Sequence, residues 1–401
     1  MAERRRWTIL AVGTFAQAAT CSFLYGIPML VPALRASGVS LFSSSLVVSA
    51  PIVGLLLTLI GWGALADRHG ERIVIVSGVG TSSVLLLFAS LMHSEAVFAV
   101  LLVLAGAAAA SVNAASGRVV MGWFPVSERG LAMGTRQTAQ PLGVALAAIA
   151  LPPLARAHGA YLALLFPAAL CFVAAVLVFL LVADPPRPAR AAGVVASSPY
   201  RGSRELLRVH LASSALVVPQ FAVASFTLVY LVSQRHWDSS VAGRWIFAFQ
   251  AAGAAGRIAS GVWSDRVGSR LRPMRQLAVM SAGLMLLLGL GALVHQGWIV
   301  VGFALGAVVT VADNGLAYTS VAEIAGSSWS GRALGVQNTL QNISAVATAP
   351  VLAALIGNSR YSLAFLVAAV FPLIAIVVTP VGGEARRRQQ AAPHAPVAQT
   401  Q

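Results

Sequence analysis

Three arginines and one aspartate stand inside long apolar stretches of this chain: Arg118, Arg136, Arg257 and Asp313. A charge held in hydrocarbon costs about 2.5–3.5 kcal/mol even on lenient insertion scales, so each requires a counter-ion, water or a bound solute. A guanidinium presents a fixed fork of donors that suits carboxylates and phosphates. A carboxyl in apolar surroundings can take up and release a proton. These residues therefore offer anion binding and proton carriage rather than bond making. No H-x-x-x-H pair, Ser/His/Asp set or phosphate-binding loop is present, so an enzyme is not expected. Cys21 and Cys171 both lie in apolar stretches without metal-ligand or disulfide spacing, and no metal or cofactor is expected.

The elements that must position these groups are membrane spans. The chain of 401 residues is 58% hydrophobic and 10% charged, more apolar surface than a water-soluble fold can hide. Twelve runs are long enough to cross a bilayer, at about residues 7–31, 43–66, 73–92, 96–123, 131–154, 160–182, 207–232, 242–264, 276–294, 298–324, 333–357 and 361–380. None alternates as a barrel strand does, and helices satisfy their own backbone, so the expectation is an all-α membrane protein. The first run follows arginines as a signal peptide would, but it is too long for a cleaved segment and reads as span one.

The basic residues orient the bundle. All 27 are arginine. With the N-terminus in the cytoplasm, 19 of the 27 fall on the cytoplasmic side and five outside, the positive-inside pattern, which holds both termini inside. The net charge of +15 is then a topology signal, and nucleic acid is not an expected partner. Residues 183–205, opened by Asp184-Pro185-Pro186-Arg187-Pro188, read as a flexible cytoplasmic linker. It separates an N-terminal unit, 1–182, from a C-terminal one, 206–380, and residues 381–401 read as a disordered tail.

Spans three, six, nine and twelve hold no charge and no Asn or Gln in their interiors, so they are expected at the lipid-facing periphery. The other eight hold nearly all the intramembrane polar side chains, and six of them carry the candidate solute contacts: Gln17 and Tyr25 in span one, Asn113 and Arg118 in span four, Arg136 and Gln140 in span five, Gln250 and Arg257 in span eight, Asn314 in span ten, and Gln337 and Gln341 in span eleven. From the helical rise, Arg257 lies roughly 12 Å from the cytoplasmic end, Asn113 and Asp313 roughly 15–18 Å, and Arg118 and Arg136 roughly 9 Å. Asp313, the one deep carboxylate, either pairs permanently with Arg257 as structural glue or is a proton site that releases Arg257 for an anion on protonation. Arg257 also shares a helix face with Gly261 and Asp265, which would make it part of the gate.

A duplication organises the chain. Gly63-Ala64-Leu65-Ala66-Asp67-Arg68-His69-Gly70-Glu71-Arg72 returns as Gly261-Val262-Trp263-Ser264-Asp265-Arg266-Val267-Gly268-Ser269-Arg270, with five matches at an offset of 198. A weaker repeat at offset 201 pairs Gly130–Gln140 with Gly331–Gln341, and Asn113 with Asn314. Matched halves of six spans are a transporter signature.

With its G-x-x-x-D-R-x-G-x-R stretch between spans two and three and an echo between spans eight and nine, the chain resembles the major facilitator superfamily over about residues 7–380. The resemblance implies two pseudo-symmetric six-helix bundles around a central cavity, alternating access by rocking, and usually a monomer. It also implies that Asp67 meets the start of span eleven and Asp265 the start of span five when the cytoplasmic side is closed. Gly63, Gly70, Gly261 and Gly268 would permit the close approach, and Arg68, Arg72, Arg266 and Arg270 would complete the gate. Glu128 is expected to accept from Arg68 or Arg72, and Glu323 from Arg266, Arg270 or Arg332. Gly256-Arg257 through Asp265 is similar to the G-R-x-x-x-G-x-x-S-D context of the family's organic-anion carriers.

Three functions follow for comparison. Proton-coupled transport of a small organic anion, in a bacterial inner membrane, accounts for the three arginines. Efflux of lipophilic or cationic drugs would be accompanied by a Gly-Pro-rich span five and an acid in span one; Gln140-Pro141-Leu142-Gly143 is only a fragment of the former, and the latter is missing. A non-transporting membrane sensor would leave the intramembrane charges unexplained.

Overall fold

The computed structural model describes residues 2–39, 41–92, 94–185, 198–237, 239–294, 297–356 and 360–384, and among them every regular element is helical. Twelve long helices follow in order: α1 (Ala2–Leu24), α2 (Leu41–His69), α3 (Glu71–Ser90), α4 (Glu95–Trp123), α5 (Val126–His158), α6 (Leu165–Leu181), α7 (Glu205–Ser233), α8 (Ser239–Val267), α9 (Leu271–Leu293), α10 (Ile299–Ala325), α11 (Ser330–Ile356) and α12 (Tyr361–Val378). Eleven of these helices are long and apolar enough to cross a membrane. The exception is α8, whose 29 residues would also span a bilayer but include Arg244, Gln250 and Arg257.

Three spans depart from straight helices. α1 ends at Leu24, short of the expected residue 31, and gives way to the turn Ile27–Leu30 and the short helix Val31–Ala36, each with a proline in its first turn. α5 is two segments, Arg129–Gln137 and Ala139–His158, with Thr138 between them. α10 breaks likewise into Ile299–Ala312 and Asn314–Ala325, with Asp313 at the joint. Both breaks fall beside the residues singled out above.

The linker and tail differ in part from expectation. Pro199–Gly202 forms a helical turn whose Tyr200 packs beside His210 and Trp329. Residues 381–384 are also helical and bury Glu384. Residues 186–197 and 385–401 lie outside the described residues.

The outside of the bundle is apolar. Ile73 on α3, Phe172 on α6, Leu293 on α9 and Val377 on α12 are all more than 60% exposed, as helices facing lipid require. Within each half α3 packs on α6, and α9 on α12. One buried apolar cluster comprises residues 9–182 alone, and a second draws only on residues 218–369. A third joins the halves, setting Val120, Phe124 and Met133 against Leu316 and Leu334. It sits toward the end of the bundle that carries the duplicated motif, called here the motif end. There α2 meets α11 and the first segment of α5 meets α8.

Candidate functional site

At the motif end two carboxylates cross between the halves. Asp67, at the end of α2, accepts from the Gly331 and Arg332 backbone N–H groups at the start of α11, at 3.0 and 3.2 Å. Asp265, at the end of α8, accepts from Gly130 and Leu131 at the start of α5, at 2.9 and 2.8 Å. A carboxylate is unfavourable at its own helix C-terminus, and the positive N-terminus of the facing helix offsets this. Bare backbone makes the approach possible. A methyl group on Gly63 would stand 2.3 Å from the Gly331 carbonyl oxygen, and one on Gly261 would stand 2.1 Å from that of Gly130. Gly70 and Gly268 turn the chain into α3 and α9 at φ of 102° and 63°.

The arginines around these aspartates are not arranged symmetrically. Arg118 pairs with Asp67 at 2.5 Å and with Glu71 at 2.7 Å. In the other half Arg270 of the motif itself pairs with Asp265 at 2.5 Å. Its counterpart Arg72 instead donates to the Phe179 carbonyl and covers that ring. Arg68 and Arg266 are exposed at the ends of α2 and α8 with no ion pair among the described residues, so the expectation that they complete the gate is corrected. Glu128 pairs with Arg6 at 2.9 Å, not with Arg68 or Arg72, because α1 starts beside the turn into α5. Glu323 lies 3.6 Å from Arg270, one of its expected partners, and 3.6 Å from Arg129 of the other half.

A further pair of carboxylates escaped the sequence. Asp184, just after α6, accepts from the Glu71 and Arg72 N–H groups at 2.7 and 2.8 Å and caps α3. Glu384, after α12, accepts from Arg270 and Leu271 at 2.7 and 3.2 Å and caps α9. Both are internal to one half. Their separation of 200 residues echoes the duplication and was the signal available to find them.

Beyond the closed motif end lies a narrow cavity of about 60 Å³ between the halves. Of the expected solute contacts, Gln17, Tyr25, Asn113, Gln140, Arg257, Asn314 and Gln341 line it. Cys21, Gln137, Gln220, Tyr318, Asn338 and Asn342 line it as well. None of the lining comes from α3, α6, α9 or α12. The halves present matched amide pairs: Gln17 donates to Asn113 at 3.3 Å, and Asn314 donates to Gln220 at 2.9 Å. Two polar bonds cross the cavity floor and wall, from Asn338 to the Asn113 carbonyl and from Tyr25 to Asn342, both at 3.3 Å. Arg257 donates to the Gln137 carbonyl at 2.7 Å.

Four expected contacts lie elsewhere. Arg118 is held by Asp67 and Glu71, away from the cavity. Arg136 is 1% exposed and bonded behind it, to Ser116 Oγ at 2.8 Å and the Asn113 carbonyl at 3.2 Å, with its guanidinium over the Tyr318 ring. Gln250 is exposed on α8 and outside the lining. Gln337 accepts from His210 Nδ1 at 2.6 Å and donates to Ser213. Tyr200, from the helical turn within the linker, is 3.0 Å from the other nitrogen of His210, and burial pushes its hydroxyl up to about 12, so it stays a donor. Asp313 is 2% exposed at the joint of α10. Its Oδ2 has no hydrogen-bond partner, and no cation among the described residues reaches it as an ion pair.

Comparison with known proteins agrees with this architecture. The sequence profile of the Major Facilitator Superfamily matches residues 10–349. An uncharacterized MFS-type transporter, found in two strains of Mycobacterium tuberculosis, is 42% identical over 395 residues, covering 96% of this chain and 88% of the relative. Among solved structures, the fucose:proton symporter FucP of E. coli superposes with a TM-score of 0.73 at 17% identity, over 93% of this chain and 97% of that one. The human organic anion transporter MFSD10 superposes with a TM-score of 0.70 at 18% identity, over 93% and 99%.

Proposed function

Because this chain belongs to the major facilitator superfamily of membrane transporters, we propose that its cavity carries a small organic anion across the membrane by alternating access, coupled to a proton. The observation that carries this reading is Arg257. It is the one charged side chain among the described residues lining the cavity, and amides and tyrosines surround it. A buried guanidinium facing a polar cavity is unsatisfied electrostatically until an anion arrives. Arg136 adds a second buried cation nearby with no carboxylate bonded to it. A lipophilic cation would meet fixed positive charge and no acid in the wall, which weighs against drug efflux.

Asp313 is the proton site of this proposal. A buried carboxyl with an unpartnered oxygen avoids a large desolvation cost by holding a proton. Ionised, it restrains Arg257 by charge; protonated, it frees the guanidinium for the anion. The motif end is the cytoplasmic end, in keeping with the arginine distribution, and the membrane is a bacterial inner membrane. The closed motif end then corresponds to an outward-facing carrier. Asp67 and Asp265 act as its cytoplasmic gate, while the six-helix halves on either side of the linker rock as bodies and the chain works as a monomer.

The test is a thermal-shift screen of the purified protein with small carboxylates and lipophilic cations, wild type beside Arg257→Ala. A ligand present at a hundred times its dissociation constant stabilises by about 2.7 kcal/mol. Stabilisation by a carboxylate that disappears in the variant supports the reading. Stabilisation by cations, equal in both proteins, defeats it.

A further inference from the structure

Pro141 explains why Arg257 reaches across to the other half. Proline has no N–H, so the carbonyl four residues earlier, that of Gln137, loses its helical donor. The helix breaks there, at Thr138. Gln137 O is left to accept from elsewhere, and Arg257 Nη1 donates to it at 2.7 Å. Both side chains belong to the cavity lining, and both residues are more than 90% buried. Gly134 makes the crossing short: a methyl group there would stand 2.4 Å from the Arg257 carbonyl oxygen, so α8 lies directly on this turn of α5. This is the charged one of the cavity's bonds between halves; the other two join neutral groups at 3.3 Å.

We infer that Pro141 and the Gln137 carbonyl it exposes form a latch on Arg257 that a bound anion releases. The inference rests on the proposal that Arg257 meets the transported anion. A carboxylate offers the guanidinium two charge-assisted bonds in place of one to a neutral carbonyl. It therefore draws Arg257 off α5 and unties the halves at the cavity floor. A neutral solute can occupy the same amides but cannot compete for Arg257, so the latch also selects for charge. Pro141 is a positioning residue: it acts through the carbonyl, without touching the solute.

Pro141→Ala tests this, because alanine restores the N–H that Gln137 O lacks; Pro141→Ser supplies the same N–H should the alanine variant fold poorly. Two readouts are taken in right-side-out vesicles and purified protein. One is the half-saturating concentration of acetate, lactate, succinate or benzoate, whichever stabilises wild type best. The other is the rate at which a membrane-impermeant thiol reagent labels Cys21, which is 2% exposed and belongs to the cavity lining, whereas Cys171 is 0% exposed in α6 and outside that lining. In wild type the carboxylate slows labelling and its neutral amide analogue does not. In the variant the half-saturating concentration falls about tenfold, the scale of one hydrogen bond to a charged group. Labelling without ligand also drops to the carboxylate-bound rate of wild type. Wild-type values for both readouts in a folded variant overturn the latch and leave the anion site standing. Failure of every carboxylate to bind wild type overturns the anion site itself, and the latch with it.

Discussion

Arg257 donates to the Gln137 carbonyl and forms no ion pair with Asp313 among the described residues, so the proposal gives the two residues separate roles that variants can tell apart. Asp313→Asn keeps the shape and removes the proton. Exchange of anion for anion should persist in this variant, while accumulation driven by a pH gradient falls to the equilibrium ratio of one; uptake into vesicles at matched and unmatched pH measures both. In the same proposal Arg136, buried behind the cavity, contributes its charge at longer range. Arg136→Gln, which installs the residue found at the equivalent position 337, should weaken anion binding roughly fivefold, the effect of about 1 kcal/mol of screened charge. A titration by thermal shift reads it. Residue types were legible in the chain, and Gln17, Asn113, Asn314 and Arg257, all polar residues in apolar spans, do line one cavity. Partners across helices were not. Depth along α4 puts Arg118 near the motif end, but only the packing of α2 and α3 against α4 delivers Asp67 and Glu71 to it.

At the scale of elements, carboxylates cap helices in two distinct ways. Asp67 and Asp265 cap helices of the opposite half, whereas Asp184 and Glu384 cap helices of their own. Losing a cap costs about 0.5–2 kcal/mol in either case, but the cost falls on different equilibria. Asp67→Ala and Asp265→Ala should open the motif end, lowering Cys21 labelling from the far side with little loss of unfolding temperature. Asp184→Ala and Glu384→Ala should do the reverse, lowering the unfolding temperature and sparing the labelling rate. Equal behaviour of the two pairs would remove the distinction. The duplicated hairpin was visible because glycines and aspartates recur at one offset. Asp184 and Glu384 were hidden because they stand in Pro-, Ala- and Arg-rich stretches whose composition reads as linker and tail. The breaks in α5 and α10 were hidden for another reason: an apolar run of the right length carries no mark of where its hydrogen bonds lapse, except Pro141.

For the whole molecule, the sequence carried the architecture because the membrane imposes it. Apolar runs of fixed length, polar residues missing from every third span and arginines gathered on one side leave few alternatives to a twelve-helix bundle. α8 shows the cost of function in the same terms: it is the helix that fails on apolarity, and it holds Arg257. Which end is closed was not written in composition. It follows from the glycine contacts of α2 with α11 and of α5 with α8, which draw the halves together at the motif end and leave the amide-lined cavity beyond them. A carrier of the kind proposed moves anions through this cavity together with protons. The measurement is internal pH in proteoliposomes holding a pH-sensitive dye, after an inward gradient of the carboxylate that stabilises the protein best. Acidification that accompanies the anion, and that is lost in both Arg257→Ala and Asp313→Asn, is the predicted result. Proton movement driven by lipophilic cations but by no carboxylate, and unchanged by Arg257→Ala, would contradict it.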